Sequence, residues 1–138
     1  MNNYSKSKSG WYKIGSKKYY LRSSWEVNYA RYLQWLKEQK KIKRWKYEPK
    51  TFWFENIRRG TRSYKPDFEV VNNDNSTGYY EVKGYMDSRS KTKIKRMKKY
   101  YPEIKLNIVQ KDEYNSIKKW EKLFPIAIKI EKKKRSSK

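Results

Sequence analysis

YKPDFEV, residues 64–70, and YYEVKGY, residues 79–85, decide how this chain folds. Between them lies NNDNSTG, residues 72–78, a turn by composition. Side chains alternate faces along a strand, so Phe68, Val70, Tyr80 and Val82 form one apolar side of a two-stranded unit. Asp67, Glu69, Glu81 and Lys83 fall on the other side. Two converging carboxylates, Asp67 and Glu81, make a site for a hard divalent cation, which takes oxygen ligands. Such a cation polarises a phosphate and lowers the pKa of a bound water. Lys83, two residues after Glu81, would position or deprotonate the attacking water, or neutralise charge that builds on the phosphate. Glu69 shares the face of Asp67 and is either an alternate ligand or a neighbour of the site.

Working outward, WYKI (11–14) and KKYYL (17–21) flank Gly15-Ser16 and read as a hairpin. A helix is expected from Ser23 or Ser24 to about Lys40, because Trp25, Tyr29, Tyr32, Leu33 and Leu36 recur at helical spacing. Ser23-x-x-Glu26 has the form of a capping box, which gives Glu26 a structural role at the helix start. TFWFENI (51–57) and TRSYKPDFEVV (61–71) flank Arg58-Arg59-Gly60 and read as a second hairpin. A basic helix is predicted from Asp87 or Ser88 to Tyr101, stopped by Pro102. KLNIV (105–109) reads as a strand, 112–124 as a helix with Tyr114, Ile117, Trp120, Leu123 and Phe124 on its apolar side, and IAIKI (126–130) as an edge strand. The fold class is therefore α/β, a mixed β-sheet core flanked by helices. The expected organisation is one domain, residues 11–130, between disordered basic tails at 1–10 and 131–138.

Lys and Arg number 37 against 14 Asp and Glu, a net charge of +23. A compact domain with that charge repels itself, so a polyanion is the natural partner, and nucleic acid leads. Arg89, Lys91, Lys93, Lys95, Arg96, Lys98 and Lys99 crowd the basic helix with no acidic residue among them, so they are assigned to phosphate contacts. Arg58, Arg59 and Arg62 form a second basic cluster at a loop tip and are assigned likewise. The chain has no Cys and no His, which excludes disulfides, thiol catalysis, imidazole metal ligands and Ser-His triads. No apolar run approaches ~18 residues, and the first ten residues lack the apolar core of a signal peptide. No membrane association is expected, and the expected compartment is the cytoplasm of a bacterial or phage-infected cell.

Pro66-Asp67, then Glu81-Val82-Lys83 after 13 intervening residues, resembles the PD-(D/E)XK nuclease superfamily, with its restriction-endonuclease-like fold. The runs RSSWEVNYARYL, KIKRWKYEP, YKPDFEV, YYEVKGY and YPEIKLNIV together resemble the phage endonuclease I type and transposase-associated nucleases. The resemblance implies metal ligation by Asp67, Glu81 and the Val82 carbonyl, Lys83 at the water, and Glu26 on the first helix completing the site. It implies Mg2+ or Mn2+ as cofactor, with no small-molecule cofactor. The expected activity is metal-dependent DNA cleavage on branched or structure-specific DNA, by a homodimer, since a symmetric junction presents two scissile strands. A homing or restriction-type enzyme is the alternative within that class. A non-catalytic nucleic-acid-binding protein is the alternative outside it, and the acidic cluster argues against it, because carboxylates repel phosphates.

Overall fold

The computed structural model describes residues 9–131. The readings of both basic tails as disordered fall largely outside those residues, apart from Gly10, which already begins a strand. β1 (Gly10–Ile14) and β2 (Lys17–Leu21) form the expected hairpin, turning at Gly15 with φ of 62°. A left-handed φ of that kind suits a residue without Cβ. α1 (Ser24–Glu38) follows, capped by the Ser23 hydroxyl on the Glu26 amide at 3.2 Å.

The central sheet has four strands in the order β3 (Arg44–Tyr47), β6 (Phe68–Val71), β7 (Thr77–Val82) and β8 (Lys105–Val109). β3–β6 and β6–β7 are antiparallel, and β7–β8 is parallel, so the sheet is mixed. The parallel step needs a crossover, and α2 (Ser88–Tyr100) supplies it. β4 (Phe52–Trp53) and β5 (Ser63–Tyr64) form a separate two-stranded ribbon. β9 (Ile128–Ile130) joins the first hairpin as an edge strand beside β1.

Two cores cover the two faces of the sheet. Phe68, Val70, Val82 and Val109 pack against Trp25, Tyr29, Ala30 and Leu33 of α1. On the opposite face Tyr79 packs with Phe52, Phe54, Tyr64 and Met97 of α2. Aromatic residues do most of the filling: Trp25 stacks on Tyr114 at 4.1 Å between centroids, and Phe52 meets Tyr79 edge-on at 5.1 Å. The chain is thus an α/β fold, a sheet core flanked by helices.

Several boundaries differ from the sequence reading, each for a physical reason. The hairpin expected from residues 51–71 is only β4 with β5. Pro66 has no N–H to give a ladder, so pairing stops there and β6 begins a new register between β3 and β7. β7 ends at Val82, short of Tyr85, although the Lys83 amide still donates to the Val109 carbonyl at 2.9 Å. β3 lies in a stretch to which the sequence pattern assigns no element. The helix expected over 112–124 is α3 (Lys111–Lys118) followed by a 3-10 turn, Glu121–Leu123. Arg31 of α1 binds the Glu121 and Pro125 carbonyls, at 3.0 and 2.9 Å, and Phe124 packs against Tyr32 and Trp35. Seating Phe124 before Pro125 bends the chain out of the helix and leaves Trp120 and Leu123 exposed. Among the described residues no helix is long and apolar enough to cross a membrane.

Candidate active site

The β6–β7 register pairs Phe68 with Tyr80 and Glu69 with Tyr79. One step further along, Asp67 stands opposite Glu81. Asp67 lies just before β6 and is buried, and its Oδ2 accepts the Val82 amide at 2.9 Å. The two strands therefore bring their carboxylates together. The face they share is not a solvated polar side, because Tyr79 on the same face fills the second core. Glu69 accepts the Tyr79 hydroxyl at 2.7 Å and is not among the residues that line the cleft of Asp67 and Glu81.

Asp67, Glu81, Val82 and Lys83 line one cleft of about 830 Å3 together with Glu26 and Glu48. Arg22, Lys65 and Lys93 stand on the same walls. Burial, then the charges of Glu81 and Glu26, push the Asp67 carboxyl well above the usual carboxylate range, and the Val82 amide offsets only part of this. Glu81 is also pushed up by burial, and Lys83, Tyr64 and Lys93 draw it back. Neighbouring acids whose carboxyls are pushed up in this way are stabilised by a cation placed between them.

Glu26 ties down the start of α1 and also lines the cleft. Its Oε1 accepts the Arg22 amide at 2.9 Å and the Tyr47 hydroxyl at 2.8 Å. The cap bond thus goes to Arg22, one residue before the Ser23 amide that the capping box predicts. Oε2 has no protein partner among the described residues, and Glu26 lines the cleft. Glu26→Gln keeps an acceptor for both donors. The variant is expected to melt within about 0.5 kcal/mol of the parent. Glu26→Ala is expected to cost about 1 kcal/mol or more, because both donors lose their partner. Parallel thermal melts of the two variants measure what these bonds contribute.

Glu48 is a site residue to which no sequence signal points beyond its place before Pro49. Its φ of 48° is left-handed, a strained conformation for a residue with a Cβ. Its amide donates to the Asp67 carbonyl at 2.7 Å, which ties that strained turn to the acidic strand. Its carboxylate takes a two-pronged bond from Arg22, at 2.5 and 3.2 Å, and stands 4.0 Å from Lys65. Glu48 is therefore already neutralised by protein cations, unlike Asp67. The Tyr64 hydroxyl is buried without a hydrogen bond of normal geometry, although it lies near enough to Glu81 to draw the carboxyl's pKa down. Tyr64→Phe is expected to melt at the parent's temperature or above, because no bond is lost with the hydroxyl. A loss of about 1 kcal/mol would mean that a real bond to Glu81 had been cut.

The basic residues divide. Arg62, Arg89 and Lys93 meet in a neighbouring cleft, and Lys95, Arg96 and Lys99 line a further groove. Lys91 and Lys98 are exposed on α2, and Arg58 and Arg59 are exposed on their loop. None of these is tied up by a carboxylate in an ion pair among those the structure describes.

The metal implied by the resemblance can be tested against these donors. Among the described residues no group of three or more acidic side chains is arranged to hold an ion by itself. Asp67 and Glu81 are two carboxylates in an open cleft, which fits magnesium: it keeps several waters and takes one or two carboxylates plus substrate phosphate. A fully caged calcium or a thiolate-bound metal would not fit.

No curated protein and no solved structure matches the chain. One family model does, over residues 6–116, a span that takes in Glu26, Glu48, Asp67, Glu81 and Lys83 and stops inside α3. The chain belongs to that family, described as "Protein of unknown function (DUF1064)".

Proposed function

We propose that the chain is a metal-dependent DNA endonuclease, a phosphodiester hydrolase. The observation that carries this reading is the pair Asp67 and Glu81, set opposite each other in one cleft with both carboxyls pushed above their ordinary values, in a chain of net charge +23. A protein that only binds nucleic acid gains nothing from acids on its phosphate-facing surface, since they repel the ligand. The acids are accounted for when a cation lies between them and the phosphate.

A divalent cation held by Asp67 and Glu81 would polarise the scissile phosphate and make a bound water more acidic. Lys83 stands beside Glu81 at the end of β7, where its ammonium offsets charge on the phosphate in the transition state. Glu26 offers Oε2 to the cleft as a base or a hydrogen-bond acceptor for the attacking water. Arg22 and Lys65 hold Glu48 and keep a fourth negative charge from adding to the repulsion of the strand. The exposed cations of α2 draw DNA to the cleft without reading its sequence. Branched or otherwise distorted DNA is the substrate we favour, with a homodimer as the cutting form and Mg2+ or Mn2+ as cofactor.

The test is cleavage of supercoiled plasmid, linear duplex and a four-way junction, with Mg2+ and with chelator. Mg2+-dependent cutting that prefers the junction supports the proposal in full. Equal cutting of all three DNAs would keep the hydrolase and remove the branched substrate. Tight, salt-sensitive binding with no cutting under Mg2+ or Mn2+ would leave a binding protein.

A further inference from the structure

We infer that the chain has a separate phosphate-binding cleft beside the carboxylate site, between the Thr61–Ser63 segment and the start of α2, which holds a non-scissile phosphate of the bound strand. The inference rests on DNA being the partner, and it adds where the strand is gripped. The cleft has a volume of about 460 Å3. Arg62, Arg89 and Lys93 supply its charge, and Thr61 and Ser63 add hydroxyl groups. No carboxylate lines it. The end of the helix dipole is not what makes the site, because the Asp87 side chain already takes the Ser90 amide at 2.7 Å. Side chains from two different elements converge there.

The two walls are tied together. Arg96 of α2 donates to the Thr61 carbonyl, and Arg62 donates to the Arg58 carbonyl within the loop. The distance between the loop cation and the helix cations is therefore set before any ligand arrives, which lowers the ordering cost of binding. Guanidinium groups with neighbouring hydroxyls suit phosphate oxygens, whose geometry they match with several donors at once.

Ser63 and Lys93 line both this cleft and the carboxylate cleft. Lys93 lies over the Tyr64 ring at 5.9 Å, on the wall between the two. A strand whose scissile phosphate sits over Asp67 and Glu81 runs past that wall, so a neighbouring phosphate enters the cationic cleft. The acidic site repels the strand in the absence of a cation. The second cleft supplies attraction at a fixed distance from it and so sets which bond is presented.

The experiment compares Arg89→Ala with Lys118→Ala, which removes the same charge from α3, at a residue that lines neither cleft. Binding of a fluorescein-labelled four-way junction is followed by anisotropy in chelator as salt is raised. Both residues are exposed, so both variants are expected to fold, and unchanged melting temperatures check it. Arg89→Ala is expected to make the fall of log K with log salt shallower by about one unit and to weaken binding, while Lys118→Ala leaves the slope near the parent's. Equal losses in the two variants, or no loss in either, would overturn the cleft and leave a diffuse positive field. Because no cutting occurs in chelator, the result is independent of the nuclease reading. A chain that never cuts can still show the Arg89-specific loss, and a chain that cuts can fail to show it.

Discussion

Asp67→Asn is expected to abolish Mg2+-dependent cleavage, by at least about 10^3-fold, and at the same time to raise the melting temperature. Loss of a metal's charge stabilisation, worth several kcal/mol, sets the first magnitude. The gain in stability follows from what Asp67 touches. It is buried, its carboxylate has one hydrogen bond among the described residues, from the Val82 amide, and it is near Glu81 and Glu26. Asparagine keeps an oxygen for Val82 and loses the buried charge. A functional residue whose neutral isostere folds more stably is being held in place against a cost, which is what an ion-binding carboxylate should show.

The pH dependence has a definite sign. Burial and neighbouring acids raise Asp67 and Glu81 in the folded chain above their ordinary values. The folded state then holds protons that the unfolded chain releases. The stability these groups contribute is fully present below their unfolded values and is lost as pH rises through the folded ones. The advantage of Asp67→Asn is therefore largest at neutral pH and shrinks in mild acid. Mg2+ should raise the melting temperature of the parent at neutral pH and leave that of the variant in place, since the ion binds only the folded parent. A variant that melts below the parent at neutral pH would show that the carboxylate is bonded by more than the Val82 amide.

The cleft was legible where chemistry and strand period coincide. Asp67 and Glu81 are brought together by the alternation of two adjacent strands, and a turn of Asn, Asp, Ser and Gly marks their hairpin. α1 and α2 were legible because Ser23 and Asp87 cap them and Pro102 follows the second. What failed depended on contacts distant in sequence. Phe124 leaves the helical pattern because Tyr32, Trp35 and Arg31 of α1 hold that segment, and no local pattern carries that. β3 alternates Arg44 and Lys46 with Trp45 and Tyr47, a pattern that is clear only once Phe68 and Val70 are its neighbours. Glu48 enters the cleft through a left-handed backbone bonded to Asp67, which one Glu-Pro dipeptide does not announce. The cationic cleft is of the same kind: Arg62 and Arg89 were each read as phosphate contacts, and only the fold sets them on facing walls.

Lys83→Ala is expected to reduce cleavage by about 10^2- to 10^4-fold, the range for removing a positioned proton-transfer group. It should do so without the signature of Asp67→Asn. Lys83 is held by its backbone, through the Val109 carbonyl, so truncating the side chain leaves β7 and β8 paired. Mg2+ should still raise the variant's melting temperature, because Asp67 and Glu81 remain. DNA binding in chelator should lose no more than about one unit of salt slope, the worth of one cation. The residual activity carries a further mark. Lys83 is the first of the groups that hold Glu81's pKa down, so without it Glu81 titrates higher. The acid limb of the pH–rate profile should then move to higher pH, because Glu81 must be ionised to bind the cation. A variant that cuts like the parent would remove Lys83 from the chemistry and leave Glu26 as the group at the water. A variant that loses cutting and the Mg2+ response together would make Lys83 a support for the ion site instead, acting by keeping Glu81 ionised.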